Sequence, residues 1–570
     1  MPEAGLRGVG EPTRRRSPSK RLRGSRVVML GSALCALLVV AGCSTVPGRP
    51  VAAANTSPFY AAVVDLLTQS AAHYTGSDSQ GASWDVRATS GGEMLGKVTT
   101  AGQQTDVLTV DGKTYVKPPA TKDVPNLPRG LSTKSVRGKW ITGSDDLGNS
   151  VPAGVWSPRQ LATELLHALD QTTAYPRVGD DTVRVGSDLA YEVATPTGTL
   201  AVSATAPHRL LRWIPAPATK TSSSTVPTTA AWDVSSTTTT QPVGPISFVL
   251  MTPADREQAF NDIAAQTQTL TDAVNIGIQF DFNQTGNLNC SETSCTVSTN
   301  VTTSTTATRG ATLTGNVSAA MKAAITVDGT PSGGCATTQS LPISGSSVMT
   351  CIDPTIAPLV AQVNARKQAE ADAQARAQHR DVTVEYNINF QASIDIQAVA
   401  IVQAEIDRLV TLVRTEQDGA RNRTSCGQNC NYQQVPYNSD KLSQAAYRAR
   451  QAGNTTPSRN IIVALVPGFN DPKTGDLVIG SGDGQSDNPS GRSEDDVVNQ
   501  LTAKGFKAEQ ITGLYSERQP CFATCGSKLG LKPEAPVSYT IPWIANDAQA
   551  LSAGNDLLTK LTAEGGGAHK

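Results

Sequence analysis

Residues 492–494 read Arg-Ser-Glu and residues 516–521 read Ser-Glu-Arg-Gln-Pro-Cys, with a second cysteine at position 525. Ser493 precedes the amphipathic run 494–504 and is predicted to be the N-cap of a helix. Pro520 predicts the start of a second short helix. A carboxylate at the start of one helix and two thiols at the start of another are groups that can transfer protons and bind a soft metal ion.

The chain around these two stretches alternates between strands and helices. The continuous apolar run 459–466 predicts a buried strand, and turn residues then lead to a hairpin partner at 477–479. The Gly-rich segment 480–484 and the polar residues up to 491 predict a solvated loop. Further strands are predicted at 507–515 and 537–541, and a closing amphipathic helix at 547–563. The predicted order is strand-strand-helix-strand-helix-strand-helix.

With these motifs, the segment 459–570 resembles the nucleic-acid deaminase domains of bacterial polymorphic toxin systems. The resemblance implies a cytidine-deaminase-like α/β fold in which Zn²⁺ activates water to deaminate a base of a nucleic acid or nucleotide. It also implies an immunity protein as a partner. The roles it implies are Glu494 as proton shuttle, Cys521 and Cys525 as metal ligands, and Ser516, Glu517 and Arg518 as substrate-pocket residues.

One position departs from the pattern of that family. Arg492 stands where the family has a histidine ligand, and a guanidinium group stays protonated and cannot bind zinc. Asp487 or a second water would have to complete the zinc coordination. Three interpretations are open: a deaminase with an altered zinc site, an inactive deaminase-fold binding module, or a structural domain in which Cys521 and Cys525 form a disulfide.

The N-terminus predicts export. Residues 1–42 carry eight basic and two acidic residues and a short apolar run that ends in Val40-Ala41-Gly42-Cys43. This ending resembles the lipobox of bacterial lipoproteins, which implies a signal peptide over 1–42, lipidation of Cys43, a tether over 43–56 and attachment to the extracytoplasmic face of the cell membrane. An uncleaved membrane anchor is the alternative. The whole chain has a formal net charge of −1, so no global basic field indicates a nucleic-acid partner.

The remaining eight cysteines lie in couples that are close in sequence, as expected for an exported protein with disulfides. The disulfide candidates are Cys290 with Cys295, Cys335 with Cys351, and Cys426 with Cys430. The couple Cys521 and Cys525 has the metal-binding alternative given above.

The other segments complete a multidomain α+β prediction. Residues 57–215 show antiparallel strand patterns, an Asp111-Gly112 hairpin turn and a helix capped by Ser157. With residues 110–117 (VDGKTYVK) and 138–140 (GKW), this segment resembles the LppX/LprG-type lipoproteins of actinobacteria. That resemblance implies a β half-barrel with helices and a lipid in its cavity, so lipid carriage is a competing function. The alternative is a domain that serves only as a spacer for the C-terminal segments.

Between these two domains we predict a Thr/Ser/Pro-rich linker over 216–245, a disulfide-stapled β and helical region over 246–430, and a second linker over 431–458. Helices are predicted in the central region at 255–278, 356–379 and 394–416. They are expected to pack on their own β-unit or to form a stalk.

Overall fold

The computed structural model describes residues 54–78, 81–119, 136–143, 157–177, 182–216, 244–305, 316–378, 384–424, 432–453, 455–483, 491–520, 529–532, 534–542 and 547–565. The signal segment 1–42, most of the linker 216–245, and the residues Asp487, Cys43, Cys426, Cys430, Cys521 and Cys525 lie outside these ranges. Predictions that concern them therefore stay predictions.

The described residues contain eight α-helices. They are α1 (Ser57–Thr68), α2 (Pro158–Asp170), α3 (Pro253–Gln268), α4 (Ala357–Ala377), α5 (Gln403–Thr424), α6 (Lys441–Gly453), α7 (Ser493–Ala503) and α8 (Ala548–Ala563). None of these helices combines the length and the apolar composition that crossing a bilayer requires.

A twelve-stranded sheet forms the N-terminal part of the described chain. Its strands are β1 (Ala71–Ser77), β2 (Ser83–Thr89), β3 (Met94–Thr100), β4 (Gln103–Val110), β5 (Lys113–Lys117), β6 (Ile141–Thr142), β7 (Val183–Val185), β8 (Asp188–Thr195), β9 (Gly198–Ser203), β10 (Leu210–Pro215), β11 (Ile246–Val249) and β12 (Val274–Asn275). The spatial order is β12-β6-β5-β4-β3-β2-β1-β11-β10-β9-β8-β7. The β12–β6 pair is parallel, whereas β1 pairs antiparallel with both of its neighbours.

Local signals in this domain are confirmed. Asp111 and Gly112 both have positive φ, 50° and 71°, between β4 and β5, as the hairpin turn requires. Ser157 caps α2, since its side chain accepts a hydrogen bond from the Gln160 amide and Pro158 is the first helical residue. The closure of the sheet into a half-barrel stays a prediction.

The predicted end of this domain at residue 215 does not coincide with the end of the sheet. Strand β11, which comes after the linker, lies between β1 and β10 and pairs with both. Strand β12 extends the opposite edge. The sequence shows two short apolar segments at these positions, but it does not show which distant strands they pair with.

Helices cover both faces of the twelve-stranded sheet. The apolar residues of α1 and α2 share one core with Val86, Leu200 and other residues of one face. Residues of α3 and α5 share a second core with Leu108, Tyr115 and Trp140 of the other face. The helices of the central region therefore pack partly on the N-terminal domain, and α5 is not part of an isolated stalk.

Two smaller sheets form the central region. Their strands are β13 (Ile278–Phe282), β14 (Asn287–Cys290), β15 (Cys295–Thr305), β16 (Asn316–Val327), β17 (Thr330–Pro342), β18 (Gly345–Asp353) and β19 (Phe390–Ala398). In one sheet β15 pairs with β13, β14 and β18, and in the other β16 lies between β17 and β19. The predicted disulfides Cys290–Cys295 and Cys335–Cys351 are both formed.

Two helix predictions in the central region need correction. The segment 394–398 is the end of strand β19, with Ile394, Ile396 and Ala398 buried on one face, and α5 begins only at Gln403. The helix expected over 255–278 ends at Gln268 and leads through a 3-10 turn into β12. Short apolar segments fit helix and strand periods equally well, and here pairing with β16 decides the outcome.

The C-terminal sheet has five strands and positions the candidate site. They are β20 (Tyr432–Gln434), β21 (Arg459–Leu465), β22 (Leu477–Asp483), β23 (Gly513–Arg518) and β24 (Val537–Ile541), in the order β20-β24-β23-β21-β22. The predicted sequence of strands and helices agrees with these elements, except that residues 521–528 are not described. Strand β23 lies later than the predicted 507–515.

The segment 431–458 is corrected from a linker to part of this domain. It forms β20, which pairs parallel with β24, and α6, which packs on β21 and β23. Helix α7 packs on β21 and β22, and the core that it shares with Ile462 and Ala464 is separate from the core that contains Ile461 and Val463. Because alternate residues of a strand point to opposite faces, α6 and α7 cover opposite faces of the sheet.

Candidate active site

Strand β22 brings its backbone directly against the start of α7. A Cβ atom added to Gly482 would lie 2.2 Å from the Ser493 amide nitrogen, and one added to Gly480 would lie 2.4 Å from the Ser493 carbonyl oxygen. The prediction of a solvated loop is therefore wrong for 480–483, which is strand. The small residues are needed there because a helix approaches closely, not because the chain turns.

Helix α7 begins one residue earlier than the prediction. Arg492, not Ser493, occupies the N-cap position with an extended backbone, and Ser493 is the first helical residue. The first turn contains Glu494, Asp495 and Asp496, whose charges are favourable at the positive end of the helix dipole. Asp496 also accepts a hydrogen bond of 2.9 Å from the Ser481 amide, which fixes α7 on β22.

Glu494 is buried at this helix start. Only 6% of the residue is exposed, and one of its carboxylate oxygens accepts a hydrogen bond of 3.2 Å from the Ser493 hydroxyl. The Ser493 hydroxyl in turn accepts a bond of 3.1 Å from the Asn460 side chain. The carboxylate predicted to shuttle protons is therefore held by a short chain of hydrogen bonds that begins on strand β21.

Asn460 connects all three elements of the site. Its amide nitrogen donates to Ser493 of α7 and, over 3.0 Å, to Ser516 of β23, and its oxygen accepts from the Arg518 amide at 3.2 Å. The role of Asn460 is not evident from the sequence alone. The available signal was a polar side chain at the start of an otherwise apolar strand. Ser516 is fully buried, and the bond from Asn460 that it shares with Ser493 places it on the face of the sheet that α7 covers.

Glu517 lies on the opposite face of β23 and is fully buried. One carboxylate oxygen accepts bonds of 2.7 Å from both the Tyr437 hydroxyl and Arg450 Nε, and the other accepts from Arg450 Nη2 at 2.5 Å and from the Ile461 amide at 2.9 Å. These four bonds account for the burial of Glu517 without a ligand. Its predicted contact with substrate stays a prediction.

Arg450 is equally well satisfied. Its remaining donors reach the carbonyl oxygens of Thr455 and Thr456 at 3.0 and 2.9 Å and that of Arg459 at 2.6 Å. All five guanidinium N–H groups therefore have acceptors, as a buried arginine requires. Glu517 is part of the stretch 516–521, so its bonds to Arg450 hold the strand that precedes Cys521 in sequence.

Arg518 ends β23 with its side chain buried among carbonyl oxygens. The guanidinium donates to the carbonyl oxygens of Pro457 and Ser458 and, over 2.5 Å, to the Asn555 side chain of α8. Burial lowers the pKa of Arg518 to about 10. These contacts tie β23 to α8, and a role of Arg518 in substrate binding stays a prediction.

The described residues contain no group of three His, Cys, Asp or Glu side chains that could hold a metal ion. Cys521 and Cys525 lie outside these residues, whereas Pro520 before them is buried at the end of the segment that leaves β23. The donor set that the chain offers, two thiols with Arg492 in the histidine position, fits zinc only in part.

Comparison with protein families identifies the C-terminal domain. Residues 457–561 match the family model described as Xanthomonas-like deaminase. No curated protein matches the chain. The match covers β21 to α8 and includes Glu494, Asn460 and the SERQPC stretch, but not Tyr437 or Arg450. The chain carries a deaminase domain at its C-terminus.

Proposed function

We propose that the C-terminal domain catalyses the hydrolytic deamination of a base in a nucleic acid or nucleotide. The observation that carries this proposal is the burial of Glu494 at the start of α7, held by Asn460 and Ser493 within the segment matched to a deaminase family. In the reaction water adds to the carbon that bears the amino group, the C–N bond breaks and ammonia leaves.

Glu494 is the proton carrier in this proposal. Its carboxylate takes a proton from the attacking water and delivers one to the departing amino nitrogen, so the group is unchanged after each turnover. The Ser493 hydroxyl donates to one carboxylate oxygen and leaves the other for this transfer. Asn460 fixes the direction of that hydroxyl, because it supplies the bond that the serine oxygen accepts.

Zinc is proposed as the cofactor, with Cys521 and Cys525 as its thiolate ligands. When bound in such sites the ion makes hydroxide available near neutral pH. Arg492 cannot replace the missing histidine, so a third protein ligand, for example Asp487, or a further water has to complete the coordination. The specific substrate contacts proposed for Ser516, Glu517 and Arg518 come from the resemblance alone.

Arg492 favours a second candidate function. Without a histidine ligand the domain could keep the deaminase fold and bind a nucleotide, a nucleic acid or an immunity protein without turnover. In both cases we propose that lipidation of Cys43 attaches the chain to the extracytoplasmic face of the cell membrane. In the catalytic case we also propose that the deaminase domain acts as a toxin. Lipid binding by the N-terminal domain remains a separate proposal.

Zinc content and ammonia release from the purified full chain test the proposal. We expect about one zinc per chain and ammonia release from at least one of single-stranded DNA, RNA, cytidine or adenosine nucleotides. Glu494→Gln should reduce the rate about 100-fold or more and retain the zinc. Glu509→Gln, a matched change on the exposed surface, should leave the rate unchanged. Zinc-loaded protein without activity on any substrate would favour the binding module.

A further inference from the structure

Helix α8 has two partners. It is the closing helix of the deaminase domain, and it also packs against α1 of the N-terminal domain. The buried residues Leu557, Leu558 and Leu561 of α8 belong to the same continuous core as Phe59 and Val63 of α1. An apolar contact therefore joins two domains that are separated by the whole central region in sequence.

The N-terminal end of α8 is held by α2. Asp547 caps α8 through the amides of Gln549 and Ala550, and the Arg159 guanidinium donates to both Asp547 oxygens, one of them at 2.9 Å. The Gln549 side chain also donates to the Thr163 hydroxyl of α2. A two-pronged arginine–carboxylate contact fixes orientation as well as position.

The other end of α8 supplies the cap of α1. Thr56 is the N-cap residue of α1, but its side chain makes no capping bond to the helix. The Glu564 carboxylate accepts from the amides at the start of α1 instead. It accepts bonds of 3.0 Å from the Thr56 amide, 2.5 Å from the Thr56 hydroxyl and 3.2 Å from the Ser57 amide. A negative charge at a helix N-terminus is stabilising both through these bonds and through the helix dipole.

A third polar contact lies between the two ends. The Lys560 ammonium is 4.0 Å from the centre of the Tyr60 ring, and the Tyr60 hydroxyl donates to Asp170 of α2 over 2.6 Å. Cation–π contacts of this kind contribute most where water is excluded. The α1–α2 surface thus offers a guanidinium, an aromatic ring and a helix N-terminus, and α8 presents a matching carboxylate, ammonium and carboxylate.

We propose that this α1–α2 surface is a docking site for α8 that holds the deaminase domain on the N-terminal domain without a continuous chain between them. Cleavage between Ser425 and Cys426 would then leave the deaminase domain bound. The inference concerns retention of the domain and does not depend on catalysis, because neither Glu494 nor the cysteines take part in the contact.

Cleavage of the full-length chain tests this proposal. A site for a sequence-specific protease is inserted between Ser425 and Cys426, outside the predicted Cys426–Cys430 disulfide, so that no disulfide can link the two fragments. The chain is cut, and size-exclusion chromatography with light scattering measures the mass. We expect the cut protein to elute at the mass of the intact 59.5 kDa chain. Separation of the cut wild-type chain into two species would overturn the proposal. The Glu494→Gln background should give the same result as the wild type.

Charge reversal at the two ends of α8 identifies the surface that holds the domain. In the double variant Arg159→Glu, Glu564→Lys the cut fragments should bind each other at least about tenfold more weakly than the cut wild-type fragments do, and they should separate. The uncut double variant should keep the circular dichroism of the wild type. The matched control is Arg366→Glu, which breaks an ion pair with Asp328 in the central region. Fragments of the charge-reversed chain that stay together as tightly as the control would also overturn the proposal.

Discussion

Replacing Arg450 by methionine should lower the free energy of unfolding of the deaminase domain more than replacing any exposed arginine. The change leaves the Glu517 carboxylate, which is 0% exposed, without its charged partner. It also removes the donors to the carbonyl oxygens of Thr455, Thr456 and Arg459. Breaking a buried ion pair from one side costs about 3–5 kcal/mol, a large part of the roughly 5–15 kcal/mol that stabilises a domain.

Hydrogen exchange measured by mass spectrometry localises this effect. A cost of this size should raise the exchange rates of the most protected amides in β21 and β23 by about 100-fold or more, while peptides from the twelve-stranded sheet keep their wild-type rates. Arg450→Met combined with Glu517→Leu should exchange more slowly than Arg450→Met alone, because no unpaired carboxylate then remains in the core.

Arg408→Met is the matched control for this prediction. Arg408 pairs with Glu405 and Asp111, but its side chain is 49% exposed, so its loss should destabilise the protein far less than the loss of Arg450. If Arg450→Met raised exchange in β21 and β23 no more than Arg408→Met does, the reasoning from burial and hydrogen bonding would be refuted.

Three further changes test the site and the docking contact. Gly482→Ala should cost about 1–3 kcal/mol in urea unfolding because its Cβ meets the start of α7, whereas Gly419→Ala, with open space around it in α5, should be neutral or stabilising. Arg492→His should raise zinc affinity by supplying the missing imidazole, and calorimetry showing unchanged affinity would contradict a zinc site at this position. Burial raises the pKa of Asp547, but hydrogen bonds from Arg159 and two amides outweigh it and hold the pKa below 3.8. Its contribution to docking is therefore complete above about pH 4 and lost as the pH falls through the folded-state pKa. Asp547→Asn should remove this step from the acid dissociation curve of the cut chain.

Short-range signals in the sequence predicted structure well. The Asp111-Gly112 turn and the Ser157 cap depend on residues that are neighbours in sequence, and the two observed disulfides join cysteines that are only 5 and 16 positions apart. The order of strands and helices in the deaminase domain also follows from local periodicity. In the site itself, the residues around Glu494 are contiguous in sequence, and the role of Glu494 as proton shuttle stays a prediction.

Features that depend on distant partners were not predicted. Asn460 is one polar residue in an apolar strand, and its importance depends on Ser493 and Ser516, which come from two other elements. The polar, alanine-rich sequence of α6 predicts a linker, because it gives no sign of the buried pair that Arg450 forms with Glu517. In both cases the decisive interaction joins residues that are 33 or more positions apart.

Strand β11 lies between β1 and β10 although it comes after both in sequence, and this position constrains the order in which the sheet forms during synthesis. Until residues 246–249 have emerged, β1 and β10 each have an edge without a hydrogen-bonded neighbour, and such edges readily pair with other chains. The N-terminal domain therefore cannot complete its sheet before residues 246–249 and 274–275 have been synthesised. A fragment that stops at residue 215 would retain both open edges and tend to aggregate, whereas one that extends to residue 275 would contain every strand of the sheet.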